Sequence, residues 1–324
     1  MTSLVKKNKS SPNIINKLLW RWIMVISVVT LILTLVASFK ISFWLFDLCT
    51  HFRLQYGIAM IICFLYFLFI RYKIGIAITA IALVINIGAI APYYLPQQEI
   101  LHNTTPLKLL MANVNSSNTQ YSLFLDLVRQ ANPDIIVIQE ISEGWKKALT
   151  NLNSNWPQHK VIPRPDNFGI ALYSKIPLEQ LNVVPLGRSE VPAIEASFKL
   201  NNKKIQIFAV HTLPPMSARY FDLRNGQMQE ISQWIQQQQE PCVLIGDLNC
   251  SMWSPYFEKL LQDSQLKNVR QGFGILPSWP AKTAMIRIPI DHCLVDHTFQ
   301  VNKTYLGPFI GSDHLPLIVE LFSK

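Results

Sequence analysis

The chain has 324 residues, of which 50% are hydrophobic and only 15% charged, and it carries a formal net charge of +9. It is too long for one minimal domain, and so little charge points to a membrane component. The basic excess does not mark a binder of long nucleic acid: residues 1–100 hold nine Lys/Arg against two Asp/Glu (+7), and the remaining 20 basic and 18 acidic residues leave only +2.

In chain order, the first feature is a basic segment, 1–21, in which Lys6, Lys7, Lys9, Lys17 and Arg21 precede an apolar run. No Asp, Glu, Lys or Arg interrupts Trp22 to Phe39, Leu54 to Ile70 or Ile74 to Leu95. A hydrocarbon core about 30 Å thick takes about 20 apolar residues in a helix, so each run is predicted to span a bilayer, the middle one being the shortest. No small-residue cleavage site stands before Lys40 and two more apolar runs follow, so the first run reads as a retained span rather than a signal peptide. Arg71 and Lys73 lie between the second and third runs, while only Lys40 and Arg53 flank the loop between the first and second. Basic residues near span ends favour the cytoplasmic side, which puts the N-terminus inside and everything after Leu95 outside the cytoplasmic (inner) membrane. The expected organisation is a three-span region over 22–95, a linker rich in Pro, Gln, Asn and Thr over 96–106, and a folded domain over 107–324.

Within that domain the runs Leu107 to Val114, Asp134 to Gln139, Gly169 to Tyr173, Ile205 to Val210, Cys242 to Ile245, Ile290 to Val295 and Leu315 to Leu321 are short, apolar and rich in β-branched residues. They read as buried strands. Tyr121 to Gln130 and Ser217 to Gln239 read as helices, the second with Met228, Ile231 and Ile235 at helical spacing. Strands alternating with helices predict an α/β layered domain. Cys242, Cys250 and Cys293 lie in or just after strand-like runs, as small buried thiols do, and no C-x-x-C pair suggests a zinc or redox site.

Polar residues recur at the ends of these runs, where an open sheet presents side chains to a ligand. Asn113 closes the first run, Gln139 and Glu140 the second, and His211 follows Val210. Asp247 and Asn249 stand in IGDLN, Asp291 and His292 in IPIDH, and Asp313 and His314 in GSDHLP. Singly, each is an ordinary turn or capping residue. Together they make a set of carboxylates and amides suited to a hard cation such as Mg²⁺, with Mn²⁺ as the alternative, and of histidines suited to proton transfer. Hydrolysis of a phosphoester asks for that combination: charge neutralisation on the nonbridging oxygens, a deprotonated water and help for the leaving oxygen. A zinc cluster, a G-x-S-x-G elbow and a P-loop are all missing from the sequence.

The ordered motifs N, QE, HTxxP, GDxN, D and SDH, over about 107–321, resemble the endonuclease/exonuclease/phosphatase superfamily. The resemblance implies a deoxyribonuclease I-like two-layered β-sandwich flanked by helices, here preceded by three transmembrane helices, and a Mg²⁺-dependent phosphatase, phosphodiesterase or nuclease. By the same resemblance Asn113, Glu140 and Asp313 hold the metal, and His211, in the segment with Thr212 and Pro215, contacts the phosphate. Asp247 orients or deprotonates the attacking water, Asn249 binds the phosphoryl group, and Asp291 fixes the tautomer of His314, which contacts the phosphate or takes a proton. The first motif departs from the more usual T-W-N, reading MANVN, and His292 stands where many nucleases have Tyr. GFGILPSWP followed by RIPIDH is similar to bacterial members with an N-terminal membrane region. Phe273 and Trp279 offer an apolar wall to the site or, as the commoner use of aromatics, pack a loop. Asn167 faces the site from its loop in this reading. Arg188, Arg219, Arg224 and Arg287 are candidates for phosphate contact, with a solvated Arg as the default. The expected partner is a phosphoester substrate, an envelope phospholipid or polyprenyl (pyro)phosphate by preference. Nucleic acid is the alternative, and a noncatalytic envelope protein that keeps the fold is the second alternative.

Overall fold

The computed structural model describes residues 14–39, 41–96 and 105–323. Lys6, Lys7, Lys9, Lys40 and most of the expected linker lie outside the described residues. The N-terminal region consists of α1 (Ile14–Ser38), α2 (Trp44–Thr50), α3 (Arg53–Phe69) and α4 (Lys73–Ile90). Two stretches, Lys17–Ser38 and Lys73–Tyr93, are long and apolar enough to cross a membrane, and α2 with α3, bent by 63°, make a third if they are taken as one span. α1 begins before the apolar run and carries Lys17 and Arg21 within it. The few polar groups between these helices pair with one another: Asn86 donates to Thr34 Oγ1 at 2.9 Å and Arg53 to Ser38 Oγ at 3.1 Å. Such pairing is required where no water competes. α2 carries Asp47, the one acidic residue among the apolar runs, and its buried side chain meets the following domain.

That domain contains β1 (Leu107–Asn113), α5 (Tyr121–Ala131), β2 (Ile135–Gln139), α6 (Glu143–Leu149), β3 (Gln158–Ile162), β4 (Ile170–Ser174), β5 (Leu178–Leu186), β6 (Val191–Leu200), β7 (Lys203–His211), α7 (Ala218–Gln236), β8 (Cys242–Asp247), α8 (Pro255–Ser264), β9 (Lys267–Asn268), β10 (Asp291–Val295), β11 (Phe299–Leu306) and β12 (Leu317–Ser323). One six-stranded sheet runs β11-β12-β1-β2-β4-β3 and the other β5-β6-β7-β8-β10-β9. Each has a single parallel pair, β1 with β2 and β7 with β8, amid antiparallel neighbours. The sheets face each other over a core that includes Leu109, Val137 and Leu172 from one and Ile207, Val243 and Ile245 from the other. Phe124 and Trp145 seal α5 and α6 onto the outer face of the first sheet, and Met228, Ile231 and Phe257 seal α7 and α8 onto the second. The result is a two-layered sandwich between helical layers, with every interior strand covered on both faces.

All seven predicted runs are strands. Both predicted helices form, and Ser217 caps α7 by accepting from Tyr220 N. Cys242, Cys250 and Cys293 are buried free thiols.

The helical region is docked on the sandwich through α2, the start of α3 and the end of α4. Arg224 of α7 and Asp47 of α2 form an ion pair at 2.9 Å with both side chains fully buried, and Ser254 Oγ donates to the other Asp47 oxygen at 2.6 Å. His51 Nδ1 and Ser251 Oγ share a hydrogen bond of 3.0 Å. Gln55 donates to Arg287 O at 2.9 Å, Trp253 Nε1 to Ala89 O at 3.0 Å, and Gly274 N to Tyr93 O at 2.7 Å. Removing one member of a buried pair leaves an uncompensated charge and costs about 3–5 kcal/mol, so this contact is a specific one. It also corrects the solvated reading of Arg224.

Candidate active site

The two parallel strand pairs end at the same end of the sandwich. β1 and β2 deliver Asn113 and Glu140 there, β7 and β8 deliver His211 and Asp247, and the antiparallel β10 starts there with Asp291, directly opposite Asp247 in the ladder. The segment before β12 adds Ser312, Asp313 and His314: Ser312 Oγ donates to Asn113 O at 2.7 Å and accepts from His314 N at 3.1 Å, which ties the segment to β1. Gly246 is required by close approach, since a Cβ there would sit 1.9 Å from Val210 O. Asn115, Glu140 and Asn249 adopt left-handed backbone, at φ 59°, 62° and 48°. Such conformations cost of order 1–3 kcal/mol and persist where the surroundings over-determine them, as at functional sites.

Asn113, nearly inaccessible, donates to Glu140 Oε1 at 2.9 Å and to Asp247 Oδ2 at 3.3 Å. Burial pushes the Glu140 carboxyl up from its ordinary value, against the pull of Asn113. Asn115 Nδ2 donates to Asp313 Oδ1 at 2.8 Å, and Trp279 Nε1 to Asp313 Oδ2 at 3.0 Å. Burial alone would raise Asp313, but these bonds and His314 hold it below the usual carboxylate range. Asp247 receives the backbone N–H of Asn249 at 2.8 Å, with His211 Nε2 at 3.7 Å and His314 Nε2 at 3.8 Å. Burial, reinforced by Asp291, raises its carboxyl to about 8. His314 Nδ1 meets Asp291 Oδ2 at 2.9 Å. Burial works against the imidazolium there, yet Asp291 and Asp247 win and raise its pKa to about 10, while Asp291 itself is held low by His314. His211 is the opposite case: burial, with the nearby His314, lowers it to about 3 and keeps it neutral.

Donor atoms of Asp247, Asp291 and His314 lie within 4.8 Å of one another, close enough to surround a cation. In that cluster His314 Nδ1 and Asp291 Oδ2 are already bonded to each other at 2.9 Å. Asn113, Glu140 and Asp313 present oxygen atoms of the kind a hard divalent ion takes, and a cation beside Glu140 would relieve the cost of burying its charge.

The site occupies a cleft of about 610 Å³. Glu140, His211, Asp247, Asn249, Asp313 and His314 line it, together with Asn167, Phe168 and Trp279. Asn113 and Asp291 stand behind this surface, each bonded to a lining residue. Asn167 also accepts from Ser116 Oγ. His292, by strand alternation, points away from the cleft: it is buried between Arg270 and Cys250 O, at 3.2 and 2.8 Å. Phe273 is not part of the lining, and of the four arginines none is in it. Arg287 is held by the Pro280 and Ala281 carbonyls, and Arg188 borders a separate cleft beside α7.

Sequence reasoning missed two sets of residues. Asn115, which steadies Asp313, was visible in MANVN. Trp44, Leu48 and His51, from α2 and the turn after it, form one wall of the cleft, and Met216 and Tyr220 add to the lining. The signal for that wall was Asp47, a lone acid between apolar runs that needs a buried partner.

A family model described as the endonuclease/exonuclease/phosphatase family matches residues 112–314. No curated protein sequence matches the chain. Among solved structures, the chain is similar to a humanized D. rerio TDP2 at 12% identity and a TM-score of 0.57, over 68% of this chain and 100% of that one. It is similar to an endonuclease/exonuclease/phosphatase from Beutenbergia cavernae at 15% identity and a TM-score of 0.55, over 68% and 72%. It is also similar to the human nocturnin catalytic domain with a bound sulfate anion, at 18% identity and a TM-score of 0.54, over 68% and 95%. At such identities the structural likeness shows the fold, and the family match covers most of the chain. The chain therefore belongs to the endonuclease/exonuclease/phosphatase family.

Proposed function

We propose that this protein is a membrane-anchored, divalent-metal-dependent phosphoester hydrolase that acts outside the cytoplasm on an envelope phospholipid or polyprenyl (pyro)phosphate. The observation that carries the reading is the convergence, in one cleft, of an Asn113–Glu140 pair, an Asp247 carboxylate beside two histidines, and an Asp291–His314 ion pair. Anchoring is supported by the two membrane-length helices. The orientation is supported by the docking of the catalytic region at the end of the bundle away from Lys17, Arg21, Arg71 and Lys73.

In this mechanism Asn113, Glu140 and Asp313 would hold Mg²⁺, with Mn²⁺ as the alternative. When bound, the ion neutralises charge on the phosphoryl oxygens and polarises the scissile bond. Asp247, raised by burial into the neutral range and fixed by the Asn249 N–H, in its ionised form takes a proton from the attacking water as the water oxygen forms the new bond to phosphorus. His314, charged and aimed by Asp291, faces the phosphoryl oxygens as a donor. The Asn249 side-chain nitrogen is held by Thr212 O at 2.8 Å, which aims the group at the cleft. Neutral His211 binds the phosphate by hydrogen bonding without adding charge. The P–O bond to the leaving group breaks, and that oxygen takes up a proton from solvent while Asp247 later returns its proton to solvent.

The test uses the full chain in nanodiscs, with Mg²⁺ or with EDTA, against phospholipid, polyprenyl pyrophosphate, plasmid DNA and RNA. Mg²⁺-dependent lipid turnover that falls about 10²–10⁴-fold in Asp247→Asn, with unfolding unchanged, is the expected result. No turnover of any substrate would move the noncatalytic reading forward. Nucleic acid is the second reading because a similar structure, D. rerio TDP2, is in complex with a single-strand DNA product. Cleavage of DNA with steep salt dependence would favour it.

A further inference from the structure

The cleft is unlike a purely ionic phosphate site. Its floor is Glu140, His211, Asp247, Asn249, Asp313 and His314, but its lining continues onto Trp44, Leu48, Phe168, Pro215, Met216 and Tyr220. Two of these apolar side chains come from α2, the short helix inserted between membrane-length helices. α2 is fastened in place by the buried Asp47 bonds to Arg224 and Ser254, so Trp44 and Leu48 form a fixed wall rather than a passing contact. Further apolar side chains stand outside the cleft, on the same segments or on ones held by α3. Phe43, just before α2, and Leu45 on it are exposed, as are Met216 at the rim and Met285 and Ile286 in the segment that Gln55 of α3 holds through Arg287 O. In water such a cluster would be costly, whereas against a bilayer surface it is in its preferred solvent.

We propose that Trp44 and Leu48 of α2, with Phe168, Met216 and Tyr220, form a hydrocarbon subsite that takes the tail of a bilayer lipid phosphoester while its phosphate lies on the polar floor. This rests on the hydrolase reading and adds to it the residues that select the substrate. The cleft volume suits a phosphoryl group and the first part of a chain, and the remainder of the tail leaves past α2 towards the bilayer. Trp44 and Leu48 therefore set specificity from outside the catalytic sandwich, and the anchor is part of the binding site.

The experiment compares p-nitrophenyl phosphodiesters of methanol, octanol and dodecanol, with Mg²⁺, using the full chain in phosphatidylcholine nanodiscs. The proteins are the wild type, Trp44→Ser, Leu48→Ser and Trp44→Phe. Partition into the disc is common to all four, so differences in the dodecyl-to-methyl ratio of kcat/KM report the protein alone. A sheltered methylene contributes about fourfold, so each Ser variant is expected to lose roughly tenfold or more of that ratio, with Trp44→Phe retaining most of it. Equal ratios in all four proteins would overturn the subsite while leaving the hydrolase reading intact. Absence of turnover with every ester would sink the hydrolase reading. The subsite is then decided by calorimetric binding of dodecylphosphonate against methylphosphonate to the same variants: loss of the chain-length gain in the Ser variants supports it, and no loss removes it. Leu48→Ser and Trp44→Phe keep the test valid should Trp44→Ser not fold.

Discussion

In the helical region Val84, Ile62 and Phe69 are 72, 65 and 87% exposed, whereas Val137, Ile207 and Phe198 in the sandwich are completely buried. The same kinds of side chain face outward in one region and inward in the other. The sandwich hides apolar surface from water, and so its stability comes from burial. The bundle shows apolar surface to its surroundings and keeps its polar groups, Asn86, Thr34 and Arg53, inside. The two regions are thus built for different solvents, and the cleft stands where they meet.

The strongest way to break this division is at the seam. Asp47→Ala leaves Arg224 buried without its counter-ion and is expected to cost about 3–5 kcal/mol, read as lowered thermal unfolding of the full chain in detergent. Asp47→Leu combined with Arg224→Leu is expected to restore much of the loss in a double-mutant cycle. A core truncation comes next. Leu109→Ala, between the sheets, is expected to cost about 2–5 kcal/mol by the same measurement.

A smaller effect is acid sensitivity of the sandwich. His292 is neutral in the fold, its pKa lowered to about 3 by burial and by Arg270, while in the unfolded chain it titrates normally. A depressed base binds its proton more readily when unfolded, so its contribution is complete above about pH 6.5 and is lost as pH falls from there towards 3, by at most about 1.4 kcal/mol per unit. Unfolding measured at pH 7.5 and 5.5 should show this slope, reduced in His292→Gln. The smallest effect is expected on the bundle's outer face: Ile62→Ala should change stability in detergent by less than about 0.5 kcal/mol. A loss as large as that of Leu109→Ala would mean that this face is covered by protein and would erase the contrast.

The sequence was most readable where both faces of an element are covered. The seven predicted strands are all interior members of their sheets, because double burial writes a continuous apolar run. The four edge strands, β3, β5, β9 and β11, were not recognised. Runs such as QHKVI and FQVNKTYL carry polar residues towards solvent, as unpaired edges do. Interior β6, which carries Pro192, was missed as well. The polar floor was legible because its residues sit in short motifs at strand ends. Its apolar wall was not, since Trp44 precedes Glu140 by nearly a hundred positions and nothing local joins them. The arginines show the same limit: Arg224 looks like any solvated side chain of a long helix until Asp47, 177 residues earlier, is seen beside it.

That separation along the chain has a consequence for biogenesis. During synthesis, α2 and its acid emerge long before Arg224 is made, so the bundle is available as a template when the sandwich begins to close. The buried Arg224 charge is then neutralised by an element that was made first. A chain whose first helices failed to fold would leave the Arg224 guanidinium of α7 without its counter-ion, and would remain an easier target for proteases. Grafting the sandwich onto a foreign anchor would leave the same gap.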